Sequence, residues 1–200
     1  GRQLSLQLLA KGATVAIADV NQQAMDETAK LAGDKAEKLS LHLLDITDRA
    51  KVEAFPDEVI AKHGTVDGVI NNAGIIQPFI DVNELNYEQI SKVMDINFNG
   101  SLFMIKAFLP HLLKRPEAHV VNVSSMGGFI PFPGQTVYSA SKAASSRPWS
   151  RTLAPLAAQA NETARPMPPV APVTRTVFPA SSSGAGAQFS GATAIKFAPR

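Results

Sequence analysis

The chain has 200 residues, of which 45% are hydrophobic, and a formal net charge of +2. That is enough apolar material for one α/β domain, and no block of lysines and arginines points to nucleic acid or an anionic membrane surface, so a small-molecule partner is expected. Cysteine is absent, which excludes disulfides and thiolate metal sites and fits a reducing compartment such as the cytoplasm. His42, His63, His111 and His119 are scattered without a second ligand type at metal-site spacing, and no apolar run reaches the length of a membrane span.

In chain order, Leu4, Leu8 and Leu9 fall at helical spacing ahead of Lys11 and Gly12, which suit a helix end. "ATVAIAD" reads as a buried strand, Asn21 caps a helix from about Gln22 to Ala32, and "KLSLHLL" is the next strand. Thr47 or Asp48 opens a helix to His63 that Gly64 ends, and "VDGVINNAG" is a strand running into a turn. A long helical stretch from about Tyr87 toward Leu113 is expected to end or kink at Pro110, and "AHVVNVSS" is a fourth strand. Strands alternating with helices predict a doubly wound parallel sheet, because parallel neighbours need a long crossover. Ligands of such sheets sit at the carboxyl ends of the strands. That singles out Asp19, Asp45, Asn71 to Gly74, Ser124 and Ser125.

After Ala144 the pattern stops. Residues 145–200 hold 8 of the 14 prolines and one acidic residue, Glu162, against six basic ones, so this part is +5 and the rest, with 13 basic and 16 acidic residues, is −3. Pro148 falls where the preceding helix should continue, and "RPMPPVAPV" and "SSSGAGAQFSGA" carry neither helical nor strand period. The expected organisation is a partial dinucleotide-binding and catalytic domain over 1–144. A Pro/Ala/Ser-rich tail, disordered or out of frame, is expected over 145–200.

Tyr138 and Lys142 are four apart, so on a helix they share one face. A nearby ammonium favours the phenolate and brings a phenol toward the range a general acid/base needs near neutral pH. With two tyrosines and 11 lysines in the chain, this spacing is expected by chance about 0.1 times. Alone, then, it is as compatible with a surface tyrosine beside a solvated lysine. Ser125, at a strand end, could hold a substrate oxygen. In "NNAG", Gly74 removes the side chain that would block a close ligand, though an ordinary turn has the same composition. Asp19, 18 residues after Gly1, could accept hydrogen bonds from an adenosine ribose and repel a 2′-phosphate, favouring NAD over NADP. A helix cap is the alternative role for Asp19.

Together, "NNAG", "DINFNG", "VNVSS" and "YSASK" resemble, in order and spacing over Gly1 to Ala144, the short-chain dehydrogenase/reductase family of the Rossmann type. The resemblance implies an oxidoreductase that interconverts an alcohol and a ketone or aldehyde by hydride transfer with a nicotinamide cofactor, as a homo-tetramer or homo-dimer. It assigns Tyr138 as the acid/base, Lys142 as its helper and ribose ligand, Ser125 as the substrate-orienting group, and Asn97 as the holder of a water in a proton relay. Gly1, Asp19, Asp45, Asn72, Ala73 and Gly74, with Tyr138 and Lys142, are the implied cofactor-binding set. Phe129, Ile130 and Phe132 would lie beside the substrate and suggest a hydrophobic one, or serve packing.

Family members open with a strand and a TGxxxGxG loop that faces the pyrophosphate, and Gly1 aligns with the last of those glycines. In the family's strand order, 3-2-1-4-5-6-7, that strand lies at the centre, so two sheet edges are expected to stand unpaired here. The reading is of a fragment, clipped at the start and frameshifted or substituted after Ala144. A dinucleotide-binding regulatory protein without turnover, and a product that does not fold alone, are the alternatives.

Overall fold

The computed structural model describes residues 1–130, 132–146 and 191–196. Its elements are α1 (Arg2–Ala10), β1 (Thr14–Asp19), α2 (Gln22–Ala32), β2 (Leu39–Leu43), α3 (Arg49–His63), β3 (Gly68–Asn71), α4 (Tyr87–Met94), α5 (Ser101–Leu112), β4 (His119–Asn122), α6 (Thr136–Ser146) and β5 (Ala192–Lys196). The helix boundaries follow their end chemistry. The Asn21 side chain accepts from the Ala24 N–H to start α2, that of Asp48 accepts from Lys51 N–H to start α3, and Gly64, at φ 82°, ends α3.

One five-stranded sheet has the order β2-β1-β5-β3-β4. β1 pairs with β2, and β3 with β4, in parallel. β5 lies between the two pairs and runs antiparallel to both, with Ala192 opposite Ala18 and Asn71, and Lys196 opposite Thr14. Side-chain alternation along β1 divides the core. Ala16 and Ala18 face Val52, Phe55 and Val59 of α3 and Met104, Phe108 and Leu112 of α5, while Val15 and Ile17 face Leu9 of α1 and Met25 of α2. Phe55 and Phe108 meet edge to face at 5.5 Å, and burial of each side chain is worth roughly 2 kcal/mol.

Three expectations change. The gap at the sheet centre is filled: residues 192–196 form β5, so that part of the tail is strand, made possible by two neighbouring edges that satisfy its backbone whatever its sequence pattern. α6 passes Ala144 and is described to Ser146; Pro148 and the rest of 147–190 lie outside the described residues. Pro110 does not end the helix, since α5 continues to Leu112 and the Leu113 N–H donates to Leu109 O. The irregularity in the long helix comes earlier, as a π-helical turn over Asp95–Gly100, the "DINFNG" segment, between α4 and α5. Wide turns of this kind are found at functional sites.

Candidate active site

Tyr138 and Lys142 sit one turn apart on α6, which packs against α4, the π-helical turn and the short turn at Met126–Gly128, and is tied through Lys142 to Val123, the residue after β4. α6 buries polar residues, with Ser141, Lys142 and Ser145 all inaccessible, so their hydrogen bonds decide how the helix seats. Ser141 Oγ donates to Tyr138 O and Ser145 Oγ donates to Ser141 O, two bonds back along the helix. The Ser124 hydroxyl donates to Lys142 O at 3.0 Å, and Lys142 Nζ donates to Val123 O at 3.0 Å. Burial pushes the Lys142 amine down from 10.5 to about 8.

Ser125 is half-buried and starts a short turn, its Oγ accepting from the Gly127 N–H at 3.2 Å. The turn lies against α6 because it is made of glycines. A Cβ on Gly127 would stand 3.3 Å from the Tyr138 ring, and one on Gly128 would stand 2.9 Å from the Lys142 backbone carbonyl carbon. Of the serine pair, Ser124 is committed to the backbone of α6, and Ser125 begins the turn whose Gly127 meets the Tyr138 ring.

The "NNAG" turn enters from the other side. A Cβ on Gly74 would lie 3.0 Å from Lys142 Nζ and 3.3 Å from Asn97 Oδ1, so the missing side chain leaves the space those two groups share. Asn97, in the π-helical turn and 1% exposed, accepts from Ile75 N–H with Oδ1 and donates to Ile75 O and Ser141 Oγ with Nδ2. Its side chain is a brace between the turn and α6. Asn72 is buried and Ala73 half-buried in the same turn.

Asp19 lies at the far side of the sheet's carboxyl edge. Its Oδ1 accepts from Asn21 N–H at 2.9 Å, and a Cβ on Gly191, the residue before β5, would stand 3.2 Å from its Oδ2. Gly1, at the start of α1, lies close enough to Asp19 to feel its charge, so these two cofactor candidates are neighbours. Asp45 is exposed after β2 and binds its own loop, accepting from Thr47 N–H and Oγ1 at 2.8 Å each. Lys142, Asn97 and Gly74 meet, and Tyr138 and the turn begun by Ser125 adjoin them as a tyrosine group; Asp19 lies across the sheet, and Asp45 in the loop after β2.

Sequence reasoning passed over Gln77, the Gly127–Gly128 pair, Ser141 and Ser145. The adjacent glycines between a strand-end serine and a helix were a readable sign of close packing. Gln77 lies in a loop without period, and nothing in its surroundings marked it.

A parallel-edged α/β sheet with a helix-borne tyrosine and lysine at its carboxyl edge is a dinucleotide-binding oxidoreductase architecture. The sequence model of the short chain dehydrogenase family matches residues 1–164, and the chain belongs to that family. Among curated relatives, the 3-oxoacyl-[acyl-carrier-protein] reductase FabG of Thermotoga maritima is 31% identical over 157 residues, covering 77% of this chain and 63% of the relative. The epidermal retinol dehydrogenase 2 of Mus musculus is 37% identical over 145 residues, covering 71% of this chain and 46% of the relative. The chain therefore spans about half to two thirds of these relatives. Among solved structures, ElxO with NADP bound superposes with a TM-score of 0.71 at 27% identity, covering 80% of this chain and 64% of that one. NAD+-bound xylitol dehydrogenase gives 0.67 at 26%, covering 73% and 56%. Among the described residues no helix is long and apolar enough to cross a membrane.

Proposed function

We propose that this chain carries the core of an NAD-dependent oxidoreductase that interconverts an alcohol and a ketone or aldehyde. The observation behind the reading is the single face of α6 on which Tyr138 and Lys142 lie between the Ser125 turn and the space above Gly74. The donor set suits a nicotinamide dinucleotide. Lys142 is an amine with three N–H bonds, one of them used on Val123 O, beside a turn that lacks a Cβ, and Asp19 offers carboxylate acceptors at the end of β1.

When bound, the nicotinamide ring supplies or takes up the hydride. Tyr138 then gives or takes the hydroxyl proton of the substrate, and Ser125 donates to the substrate oxygen and orients it. Lys142 holds a ribose hydroxyl. Its burial keeps the amine from being fully hydrated, which strengthens its field at the tyrosine oxygen. Asn97 keeps Gly74 and α6 in register, with the relay water as a further role. Asp19 disfavours a 2′-phosphate, so NAD is the proposed cofactor. FabG and the retinol dehydrogenase are named for carbonyl reduction and alcohol oxidation, and Phe79, Phe129, Ile130 and Phe132 are exposed on the loops flanking the tyrosine. Both support an apolar substrate; a cytoplasmic setting is proposed from the absence of cysteine, and a homo-dimer or homo-tetramer from the family resemblance.

The test is nicotinamide absorbance with NAD and a panel of hydrophobic secondary alcohols. Tyr138→Phe should lower turnover by about 10³-fold with the melting temperature unchanged. Full activity in that variant would remove the assigned acid/base.

A further inference from the structure

We infer that Gln77 is a positioning residue for Tyr138, a cap on the tyrosine helix supplied from the loop after "NNAG"; the inference rests on Tyr138 being the proton carrier. α6 begins without a short polar cap of its own. Gln135, whose carbonyl accepts from Ser139 N–H to open the helix, occupies the place where serine, threonine, asparagine or aspartate would meet the first free N–H groups. Its amide instead donates to Gln77 O at 3.3 Å, and its Oε1 has no partner among the described residues. The vacant capping role is taken by Gln77. Its Oε1 accepts from both Val137 N–H and Tyr138 N–H at 2.9 Å, and its Nε2 donates to Gly134 O at 3.1 Å.

Gln77 is 3% exposed, so losing the acceptor would leave two part-buried N–H groups without the partner that orients the first turn of α6. The same loop is held two residues earlier, where Asn97 takes both backbone groups of Ile75. Two amide side chains thus tie one segment, Gly74 to Gln77, to the two ends of the working face: Asn97 to Ser141, one residue from Lys142, and Gln77 to the backbone of Tyr138 itself. A cap from the helix's own sequence would fix only the helix. A cap from this loop fixes the phenol relative to the turn on which the cofactor is proposed to lie.

The experiment uses the full chain, labelled with fluorotyrosine. It has two tyrosines, and Tyr87, which is 84% exposed, is assigned by Tyr87→Phe, leaving one fluorine signal for Tyr138. Gln77→Met, similar in shape but without an acceptor, should shift or broaden that signal and lower kcat about 30-fold, with KM for NAD changed less than about threefold. Gln77→Glu keeps an acceptor for both N–H groups but loses the donor to Gly134 O, so it should restore a sharp signal and recover most of kcat, to within about tenfold, at some cost in melting temperature. An unmoved Tyr138 signal in Gln77→Met would overturn the inference, as would equal loss of kcat in the two variants. Should Gln77→Met fail to fold, Gln77→Glu against Gln77→Asn, whose side chain is too short to reach, decides in the same way. The fluorine signal is read whether or not the chain turns over substrate, so a failure here is separate from full activity in Tyr138→Phe.

Discussion

The sheet consists of two parallel pairs held together in different ways. On one side, β3 and β4 carry the tyrosine group, where Gln77, Asn97, Ser124 and two glycines lock loops and α6 into one body. On the other, β1 and β2 carry Asp19 and Asp45, whose side chains, among the described residues, accept hydrogen bonds from their own loops. The backbone link between the pairs is β5, with five register pairs to β1 and four to β3. The lesson is that the tyrosine group is built locally and redundantly, whereas the relation between it and the proposed adenosine end depends on one strand from the far end of the chain and on the two apolar layers.

The largest effect should come from removing that strand. Deletion of residues 191–200 exposes two sheet edges and uncovers the layer against Ala194, which is 1% exposed. At about 1 kcal/mol net per backbone hydrogen bond, the loss is roughly 5 kcal/mol or more, comparable to the whole stability of a small domain. Circular dichroism should show no cooperative melt. A cooperative transition within about 5 °C of the intact chain's would mean that the halves do not depend on β5.

Next is the buried amine. Between pH 8 and 10.5 the unfolded chain holds a proton on Lys142 that the folded chain has released, so stability rises with pH across that window and the gain is lost as pH falls through 8. The full swing is roughly 3 kcal/mol. Lys142→Met should flatten this rise in urea melts at several pH values and be at least as stable as the parent at pH 7, less about 1 kcal/mol for the donor lost to Val123 O. It should also abolish turnover, because the same desolvated charge that weakens the fold is the one proposed to act.

Glycine substitutions probe the local locking at smaller cost. In Gly128→Ala the new Cβ meets backbone at 2.9 Å and cannot be accommodated without moving α6, so a loss of about 2 kcal/mol is expected in thermal melts. In Gly74→Ala the new Cβ meets side-chain atoms rather than backbone, Lys142 Nζ at 3.0 Å and Asn97 Oδ1 at 3.3 Å, both hydrogen-bonded and able to give only a little. That variant should lose about 1 kcal/mol, less than Gly128→Ala, and lose turnover. Equal melting temperatures in the two would contradict the packing described for the glycine turn.

Much of the tyrosine side of this contrast was legible in the sequence and little of what joins the halves. Asn21, Asp48 and Gly64 announced helix ends because capping is local chemistry, and the four parallel strands were readable from runs such as "ATVAIAD". Tyr138, Lys142, Ser125 and Gly74 were singled out by spacing and by their places after strands, and of these Gly74 and Lys142 come together in the fold. β5 was missed because a five-residue strand owes its existence to the edges beside it rather than to its own pattern. Gln77 was missed for a related reason: its role is defined by residues nearly 60 positions away. His42 and His63, read as scattered, both bind Ser40 Oγ, at 2.9 and 2.7 Å, across β2 and α3. That pairing has no trace in their separation along the chain.

The smallest effect should fall on the loosely tied half. Asp19 Oδ1 receives one backbone N–H, and its Oδ2 lies beside Gly191, so Asp19→Asn keeps a hydrogen-bond acceptor for Asn21 while removing the charge proposed to repel a 2′-phosphate. The expected change is a shift of about tenfold in the ratio of NAD to NADP affinity, close to 1.4 kcal/mol, with stability altered by less than about 1 kcal/mol. Titration of each cofactor against intrinsic fluorescence measures it. An unchanged ratio would place cofactor choice elsewhere than at the end of β1. Because Asp19 shares no hydrogen bond with the tyrosine group, the variant should leave the fluorotyrosine signal of Tyr138 where it was, and a moved signal would show that β5 couples the halves more tightly than its backbone bonds alone imply.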